Sequence, residues 1–311
     1  MLSSKFGIEL ELTGITRAQA ARVVARTLHS TIERHALFRP AHLIFYTLTD
    51  NKGRKWKITF DTSLICEKKN NGHIVPANDR YSVELVTPAI TYDEDVDTLL
   101  KVVYEIKQAG GFVNESCGIH IHLDGHEHTP TSLRNFINLI ASRNDLFYKA
   151  LQIHPKRMDY CKKMDEYLVR RMNRRKVNTF QQMESVWYDG YKGNRQLHYH
   201  RSRYHFLNLH SFFHGNQTIE LRGFNSTLSP EVIRAYIVFA LAINHQALTQ
   251  KSARYHKVQS ENEKYAMRSF LVQIGLSGTE YKSCRNCLYR HLSGNAAWRY
   301  GKKKEKQNNL P

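Results

Sequence analysis

The chain has 311 residues, of which 41% are hydrophobic and 24% charged, a balance typical of a globular protein with a sizeable core. It has no run of about 18 apolar residues, no secretory signal at its start and five scattered cysteines, which argues against a membrane, secreted or disulfide-stapled protein and predicts a cytoplasmic one that binds no membrane. The net charge of +18 favours polyanionic partners such as nucleic acid or phosphorylated metabolites, although a solvated basic surface without a dedicated partner explains the charge equally well.

Strands and helices interleave in the first half of the sequence. Apolar and polar side chains alternate over residues 6–12, which predicts a strand, and Thr16 is placed to cap the helix that follows. Five later elements are expected: strands within residues 54–64 and 81–90, a helix over 93–109, a strand over 120–124 and a helix from Pro130 to about Gln152. The pattern indicates one domain of the α+β class.

The second half begins with a basic segment. Residues 153–203 concentrate lysine and arginine between tyrosines and histidines and predict an insertion of mixed helix and loop. Residues 204–225 then predict a hairpin, and Ser229 caps a helix so apolar that it should be buried. We therefore expect a single catalytic domain over 1–311 with these parts: a core over about 6–152 and 204–250, the basic insertion over 153–203, a helical C-terminal part over 251–300 and a disordered polar tail over 301–311.

Polar side chains recur at alternate positions on four of the predicted strands. Such spacing puts them on one face of a strand, with apolar side chains on the opposite face. An antiparallel sheet that packs helices on its apolar face would gather the polar residues on its open face: Glu9, Glu11, Glu84, His120, His122, Glu220 and Arg222. Any single pair is ordinary, but carboxylates concentrated on one face repel each other unless cations neutralise them. Bound divalent ions are the simplest explanation.

The residue types indicate which ions these would be. Carboxylate oxygens with one or two imidazoles favour a hard cation such as Mg²⁺ or Mn²⁺, and Mg²⁺ sites usually complete their coordination with substrate phosphates. Arg222 fits this interpretation, because a guanidinium beside metal ions is suited to clamp a phosphoryl group in transfer. The sequence has no Walker motif, so bound ATP would be held by ions and arginines on the sheet.

Four motifs resemble, in their order, those of the amidoligase family. They are FGIELEL, DTSL followed by SVELVTP, SCGIHIHLD, and LNLHSF followed by QTIELRGFNSTL. The family consists of carboxylate–amine ligases of the glutamine synthetase-like superfamily, and the resemblance runs from about residue 6 to about residue 245, interrupted by the basic insertion. It implies a glutamine synthetase-like antiparallel sheet whose open polar face carries the metal site. It also implies an ATP-dependent ligase that forms an amide bond through an acyl phosphate with Mg²⁺ or Mn²⁺.

The resemblance assigns the metal ligands. Glu9, His120 and Glu220 would bind the ion that touches the β- and γ-phosphates of ATP. Glu11 and Glu84 would bind a second ion nearer the substrate carboxylate. Glutamine synthetases proper supply three carboxylates to that second ion, so this sequence departs from their pattern there.

It also assigns four residues to binding and catalysis. Arg222 would stabilise the transferring phosphoryl group and bind ATP, and His122 would orient substrate or phosphate. Asp61 and Ser63 match an Asp-x-Ser segment of the family, which places both near the substrates, with Asp61 as the base for the amine and Ser63 as a binding residue. The insertion 153–203 has no counterpart in the family, so the resemblance does not identify the carboxylate and amine substrates.

A zinc-dependent hydrolase is the first competing interpretation. The segment HIHLDGH nearly matches a zinc-binding motif of metallo-β-lactamase-type enzymes, but Gly125 stands where the last histidine belongs and His126 comes one residue late. An iron site made of His120, His122 and Glu220 would leave the first strand's glutamates unexplained.

A basic nucleic-acid-binding protein is the second competing interpretation. Lysine and arginine between aromatic residues in 153–203 could contact the phosphates of a nucleic acid while the aromatic rings stack on its bases. Salt-dependent binding that is lost when Arg170, Arg171, Arg174 and Arg175 are neutralised would support this interpretation.

Cys284 and Cys287 form a lone Cys-x-x-Cys and are expected to be two ordinary thiols rather than a zinc knuckle. An oligomer is compatible with the sequence.

Overall fold

Eight strands form one fully antiparallel sheet in the computed structural model, which describes residues 1–36 and 44–300. These strands, and the separate hairpin β5–β6, are β1 Phe6–Leu12, β2 Ile32–Ala36, β3 Ile44–Thr49, β4 Lys55–Thr59, β5 Glu67–Asn70, β6 His73–Pro76, β7 Val83–Val86, β8 Gly118–Asp124, β9 Leu207–Asn208 and β10 Thr218–Asn225. The order across the sheet is β2-β3-β4-β7-β1-β8-β10-β9. The expected α+β class with a large antiparallel sheet is confirmed.

Helices surround this sheet within the described residues. They are α1 Arg17–Leu28, α2 Tyr92–Gln108, α3 Pro130–Ala141, α4 Asn144–Ala150, α5 Glu166–Met172, α6 Phe180–Trp187, α7 His210–His214, α8 Pro230–Thr249, α9 Glu263–Gln273 and α10 Lys282–Tyr289. Helices α1 and α8 contact the sheet, and α2 and α3 pack beside them. The alternating apolar residues of the central strand β1, such as Ile8 and Leu10, are buried on this side. The polar residues of β1 therefore point away from the helices.

Helix α8 is long and apolar enough to cross a membrane by length and composition alone. Two thirds of its most apolar window is buried inside the protein, where it packs against α2, α3 and α10. Its apolar surface is thus used by the core, and the predicted buried helix is confirmed.

Strands β2 and β3 and the β5–β6 hairpin were not predicted from the sequence. β2 is exposed along most of its length, so it lacks the alternation that marks a half-buried strand. The sequence of the hairpin does carry a signal, the pair Asn71-Gly72 at its turn. Both residues adopt positive φ, 47° and 82°, as a two-residue type I′ turn requires.

The single helix predicted from Pro130 to Gln152 is wrong in its middle. The chain forms α3 and α4 with a break at Ser142 and Arg143. The C-terminal part occupies this break: the backbone N–H groups of His256 and Val258 donate to the hydroxyl and the carbonyl of Ser142, at 3.0 and 2.8 Å.

The hairpin predicted over 204–225 is also wrong in part. Strand β9 has two residues, and the segment after it forms the short helix α7. The Asn208 side chain accepts a hydrogen bond from the His210 N–H at 2.8 Å, which turns the chain into this helix instead of a long strand.

The basic insertion contains α5, α6 and irregular turns, and it covers the polar side of the sheet. Both Nη atoms of Arg157 donate to strand β10, at 2.5 Å to the Phe224 carbonyl and 2.9 Å to the Arg222 carbonyl. A side chain on Gly118 would overlap this guanidinium, and one on Gly223 would overlap the buried ring of Phe206. Gly118 thus leaves room for the insertion to dock, and Gly223 leaves room for the segment that follows the insertion.

This covering contradicts the expected open polar face. Glu11, His120, Glu220 and Arg222 are each at most 6% exposed. The composition of the basic segment predicts a separate insertion and carries no information on its position over the sheet. The predicted division of the chain into parts stays a prediction, and the tail 301–311 lies outside the described residues.

Candidate active site

Strand register brings the predicted polar residues together. Glu9 stands directly opposite His120, Glu11 opposite Glu84, and Glu220 opposite His122. Directly opposed residues of antiparallel strands point to the same face, with Cβ atoms about 4.5–5.5 Å apart. Four strands therefore deliver these side chains to one place beneath the insertion.

The first group consists of Glu9, His120 and Glu220, whose side-chain ligand atoms lie within 4.8 Å of one another. His120 Nδ1 is 3.0 Å from Glu9 Oε2 and 3.6 Å from Glu220 Oε1. Two carboxylates and one imidazole that converge in this way can hold a divalent cation.

The second group consists of Glu11, Glu84 and His120, also within 4.8 Å of one another. His120 Nε2 lies 3.9 Å from Glu11 Oε1, so the imidazole stands between the two groups with one nitrogen toward each. The backbone N–H of Gly118 donates to Glu11 Oε2 at 2.5 Å and fixes the orientation of this carboxylate.

Charges within the first group oppose the effect of burial. Burial acts to raise the pKa of Glu9 and of Glu220, but other interactions outweigh it: the charge of His122 and a hydrogen bond with His120 hold the pKa of Glu9 well below its usual value, and the charges of Arg222 and His122 lower that of Glu220 to about 2. Burial and the charge of Arg222 lower the pKa of His120 to about 4. The group thus has two ionised carboxylates and one neutral imidazole at neutral pH, which is the protonation state a metal site needs.

The second group lacks such compensation. Burial and the negative charge of Asp61 raise the pKa of Glu11 to about 8. Burial, Glu9 and Glu11 raise the pKa of Glu84 well above its usual value. Two facing carboxylates that resist ionisation are expected where a cation belongs between them.

Glu220 and Arg222 are held by their own hydrogen bonds. Arg222 Nη1 donates to Glu220 Oε1, and Asn208 Nδ2 donates to Glu220 Oε2 at 2.6 Å. Arg222 Nε reaches the Tyr160 carbonyl at 3.4 Å, which ties the site to the insertion. Asn208 could not be predicted as a site residue, because nothing in the sequence distinguishes it from other polar residues before a turn.

A cavity of about 290 Å³, called here the Glu11 cavity, opens beside the second group. Its lining comes from the sheet, the loop after β4 and the basic insertion: Glu11, Asp61, Thr62, Ser63, Ser116, His120, Arg157, Tyr160, Tyr199, Arg203, Tyr204 and Arg222. Asp61 Oδ1 accepts from both the N–H and the hydroxyl of Ser63. The predicted residues Asp61 and Ser63 therefore lie together at this cavity. The two arginines and two tyrosines that the insertion contributes, Arg157, Arg203, Tyr160 and Tyr199, were not predicted as site residues.

A second cavity of about 430 Å³, the Glu9 cavity, lies on the other side of the first group. Glu9 and His122 line it, with Lys5, Thr87 and His198 among the other residues. His122 Nε2 is 3.2 Å from Glu9 Oε1, yet it is a buried nitrogen that forms no hydrogen bond.

The insertion passes between the two cavities. His198 lines the Glu9 cavity, whereas the next residue, Tyr199, lines the Glu11 cavity. The Leu197 carbonyl accepts from His210 Nε2 at 3.0 Å, which anchors this stretch to α7. The site is thus reached from two sides, with the insertion as a strap across the middle.

The other candidate residues lie apart. Asp124 and His126, which the hydrolase interpretation needs, bond to each other at 2.6 Å and belong to neither of the ligand groups in the described chain. Cys284, which is buried, and Cys287, which is half-buried, are both free thiols, and burial raises the pKa of each, which agrees with two ordinary cysteines.

A family comparison covers most of the chain. The sequence model of a family described as "putative amidoligase enzyme" matches residues 2–244, a range that includes every residue of both ligand groups and both cavities. No curated protein matches the chain.

Proposed function

The chain belongs to the amidoligase family, and on that premise we propose that it is an ATP-dependent carboxylate–amine ligase that uses Mg²⁺ or Mn²⁺. Membership of the family makes it an enzyme of the ligase kind. The ATP dependence, the ions and the glutamine synthetase-like relationship of the sheet are the parts we propose.

One observation carries this proposal: the two groups of ligand atoms that share His120. Glu9, His120 and Glu220 present two carboxylates and an imidazole, and Glu11 and Glu84 present two more carboxylates on the other side of the ring. Mostly oxygen ligands favour a hard cation over zinc. The raised pKa of Glu11 and of Glu84 fits cations at this place, since these carboxylates repel each other without them.

The two cavities support separate places for the two kinds of substrate. We place the nucleotide in the Glu9 cavity, because that cavity adjoins the first group and is lined by His122. Glu9 and Glu220 raise the pKa of His122 to about 9 against the effect of burial, so this imidazole is a charged donor for a phosphate oxygen. We place the carboxylate and the amine in the Glu11 cavity, where Asp61, Ser63 and Arg222 meet. Phosphoryl transfer then takes place between the cavities, where the chain concentrates its buried charges.

The reaction has two steps. An oxygen of the substrate carboxylate attacks the γ-phosphorus of ATP, giving an acyl phosphate and ADP, and the amine nitrogen then attacks the acyl carbon and expels inorganic phosphate. Bound divalent ions would neutralise the phosphate oxygens during transfer. Arg222, held by Glu220, presents its guanidinium to the moving phosphoryl group. Asp61, whose second carboxylate oxygen is free of Ser63, takes the proton that the amine loses.

The substitution Glu220→Gln tests this function. The amide keeps the size of the side chain and its bond with Asn208 but removes the charge, so ADP release in the presence of carboxylic acids and hydroxylamine should fall by a factor on the order of a thousand. Glu261→Gln, an exposed position, is the matched control. Normal turnover by a folded Glu220→Gln protein would refute the assignment.

A further inference from the structure

The Glu11 cavity has two walls of opposite character. Glu11 and Asp61 come from the sheet side, whereas Tyr160, Tyr199 and Arg203 come from the basic insertion. The insertion lies between the motifs that carry the family resemblance and supplies none of the proposed metal ligands. The side of the cavity that the insertion forms is therefore the part that would determine substrate specificity.

Three arginines line this cavity, and two of them are occupied. Arg157 donates both Nη atoms to backbone carbonyls of β10. Arg222 pairs with Glu220 and is needed for phosphoryl transfer under the proposed function. Neither has a full guanidinium edge left for a substrate.

Arg203 is the third, and its donors are largely free. It forms no ion pair with any carboxylate in the described part of the chain, and its one side-chain hydrogen bond is a weak one, from Nη1 to the His198 carbonyl at 3.3 Å. Its Nε is buried and has no hydrogen-bond partner. A charged donor shut off from water without a partner costs stability, and a bound anion would remove that cost.

The surrounding tyrosines add neutral donors. The hydroxyls of Tyr160, Tyr199 and Tyr204 make no hydrogen bond within the described residues, and all three line the same cavity. The guanidinium carbon of Arg203 lies 5.3 Å from the centre of the Tyr199 ring, a contact that holds the arginine in place.

We propose that Arg203, with Tyr199 beside it, binds a second anionic group on the carboxylate substrate. The substrate class is then a small acid with two anionic groups: one reacts between Glu11 and Arg222, and the other, a carboxylate or a phosphate, sits against Arg203. A fork of guanidinium donors matches either group. The cavity of about 290 Å³ is at the lower limit for ligand pockets and fits a small acid. This inference rests on the proposed function.

The first experiment measures binding. The full-length protein is saturated with Mg²⁺ and a non-hydrolysable ATP analogue, and the melting temperature is followed with pairs of acids of equal chain length: glutarate against butyrate, succinate against propionate, and 3-phosphonopropionate against propionate. We expect at least one dianionic acid to raise the melting temperature while its monoanionic partner does not. Arg203→Ala should weaken this binding on the order of tenfold or more, as loss of hydrogen bonds to a charged group predicts.

Arg201→Ala is the matched control. Arg201 lies two residues away on the same turn, is exposed and does not line the cavity. Arg203→Lys keeps the charge without the fork and should retain part of the binding, and Tyr199→Phe should weaken it less than Arg203→Ala does. Equal loss in Arg201→Ala and Arg203→Ala would overturn the proposal, because a general effect of surface charge would then explain it. Binding of the monoanionic acids alone, or of no dianionic acid at millimolar concentration, would overturn it as well.

The second experiment separates this inference from the proposed function. Mg²⁺ with the ATP analogue should stabilise Arg203→Ala as it does the unaltered protein, and hydroxylamine should trap the acyl phosphate with the KM for the acid raised and the KM for ATP unchanged. A raised KM for ATP would assign Arg203 to the phosphates and contradict the proposal. Failure of the unaltered protein to bind Mg²⁺ with ATP would instead contradict the proposed function.

Discussion

Glu11 and Glu84 face each other across β1 and β7, and no cation of the described residues lies between them to neutralise both. The pKa of Glu11, raised to about 8 by burial and by Asp61, lies above its value in the unfolded chain, about 4.3. Between these values the folded protein holds a proton that the unfolded chain has lost. A rise in pH through this window therefore lowers the free energy of unfolding.

This argument gives a prediction on pH dependence. In a metal chelator, urea unfolding of the unaltered protein should show a loss of stability on the order of a few kcal/mol from about pH 5 to about pH 8.5. Glu11→Gln, which cannot ionise, should lose less, and added Mg²⁺ should reduce the loss in the unaltered protein. The same slope in Glu11→Gln and in the control Glu261→Gln would contradict the charge assignment.

The ligand residues could be chosen from the sequence because alternation in a strand fixes the face of each side chain. Glu9 and Glu11 must share a face whatever the tertiary structure, and a polar face shared by several strands stands out. Arg203 and Tyr199 could not be chosen in this way. They lie outside the strands, where spacing along the chain does not predict the direction of a side chain. Only the fold shows that they line the same cavity as Glu11.

At the scale of elements, the start of α2 is fastened to the turn between β3 and β4. Asp95 accepts two hydrogen bonds from the Arg54 guanidinium at 2.8 Å and one from Lys52 at 3.0 Å. It also accepts from the Thr91 N–H at 3.0 Å, which caps the helix. The hydrogen bonds from Arg54 are the main reason that the pKa of Asp95 lies well below its usual value, since they outweigh the opposite effect of burial.

We predict that Asp95→Asn lowers the free energy of unfolding by about 2 kcal/mol, because hydrogen bonds between charged groups are lost. Asp97→Asn, on the same helix with a side chain 88% exposed, should cost about 0–1 kcal/mol. Because the folded pKa of Asp95 is depressed, its contribution is present above about pH 4 and is lost as the pH falls below that value. Urea unfolding at neutral pH and at about pH 3 checks both statements; equal losses in the two variants at neutral pH would contradict this role.

Gly223 determines how closely Phe206, in the segment that follows the insertion, approaches the sheet. A Cβ at this position would penetrate the ring of Phe206, which is fully buried. Gly223→Ala should therefore lower the free energy of unfolding by about 1–3 kcal/mol, measured by urea unfolding. Gly7→Ala, where the nearest atom would be 3.8 Å away, should have a much smaller effect, and similar losses in both would contradict the packing argument.

The strands and helices that the sequence predicted correctly are those with one buried face, such as β1 and α2. The elements that the sequence did not predict are stabilised by other interactions, namely strand pairing and local side-chain hydrogen bonds. β2 is exposed and is held by pairing with β3, and α7 forms because Asn208 turns the chain. Side-chain hydrogen bonds of this kind act locally and leave no hydrophobic period to detect.

At the scale of the whole molecule, the basic insertion converts an exposed sheet face into an enclosed site with two entrances. Arg157 docks it on β10, and its residues His198 and Tyr199 face opposite cavities. Under the proposed function, a site enclosed in this way would shield the acyl phosphate from hydrolysis by water. The net charge of +18 would likewise attract ATP and an acidic substrate toward these entrances.

The most direct test is a thermal melt of the purified protein with Mg²⁺ alone, Mg²⁺ with ATP, and Zn²⁺ alone. A ligand that binds only the folded state adds about 2.7 kcal/mol at a hundredfold excess over its dissociation constant. We predict a rise in melting temperature that requires Mg²⁺ and ATP together and disappears in Glu9→Ala and Glu220→Ala. No response to Mg²⁺ with ATP, together with a rise in Zn²⁺, would contradict the ligase assignment and return His120 and His122 to the hydrolase interpretation.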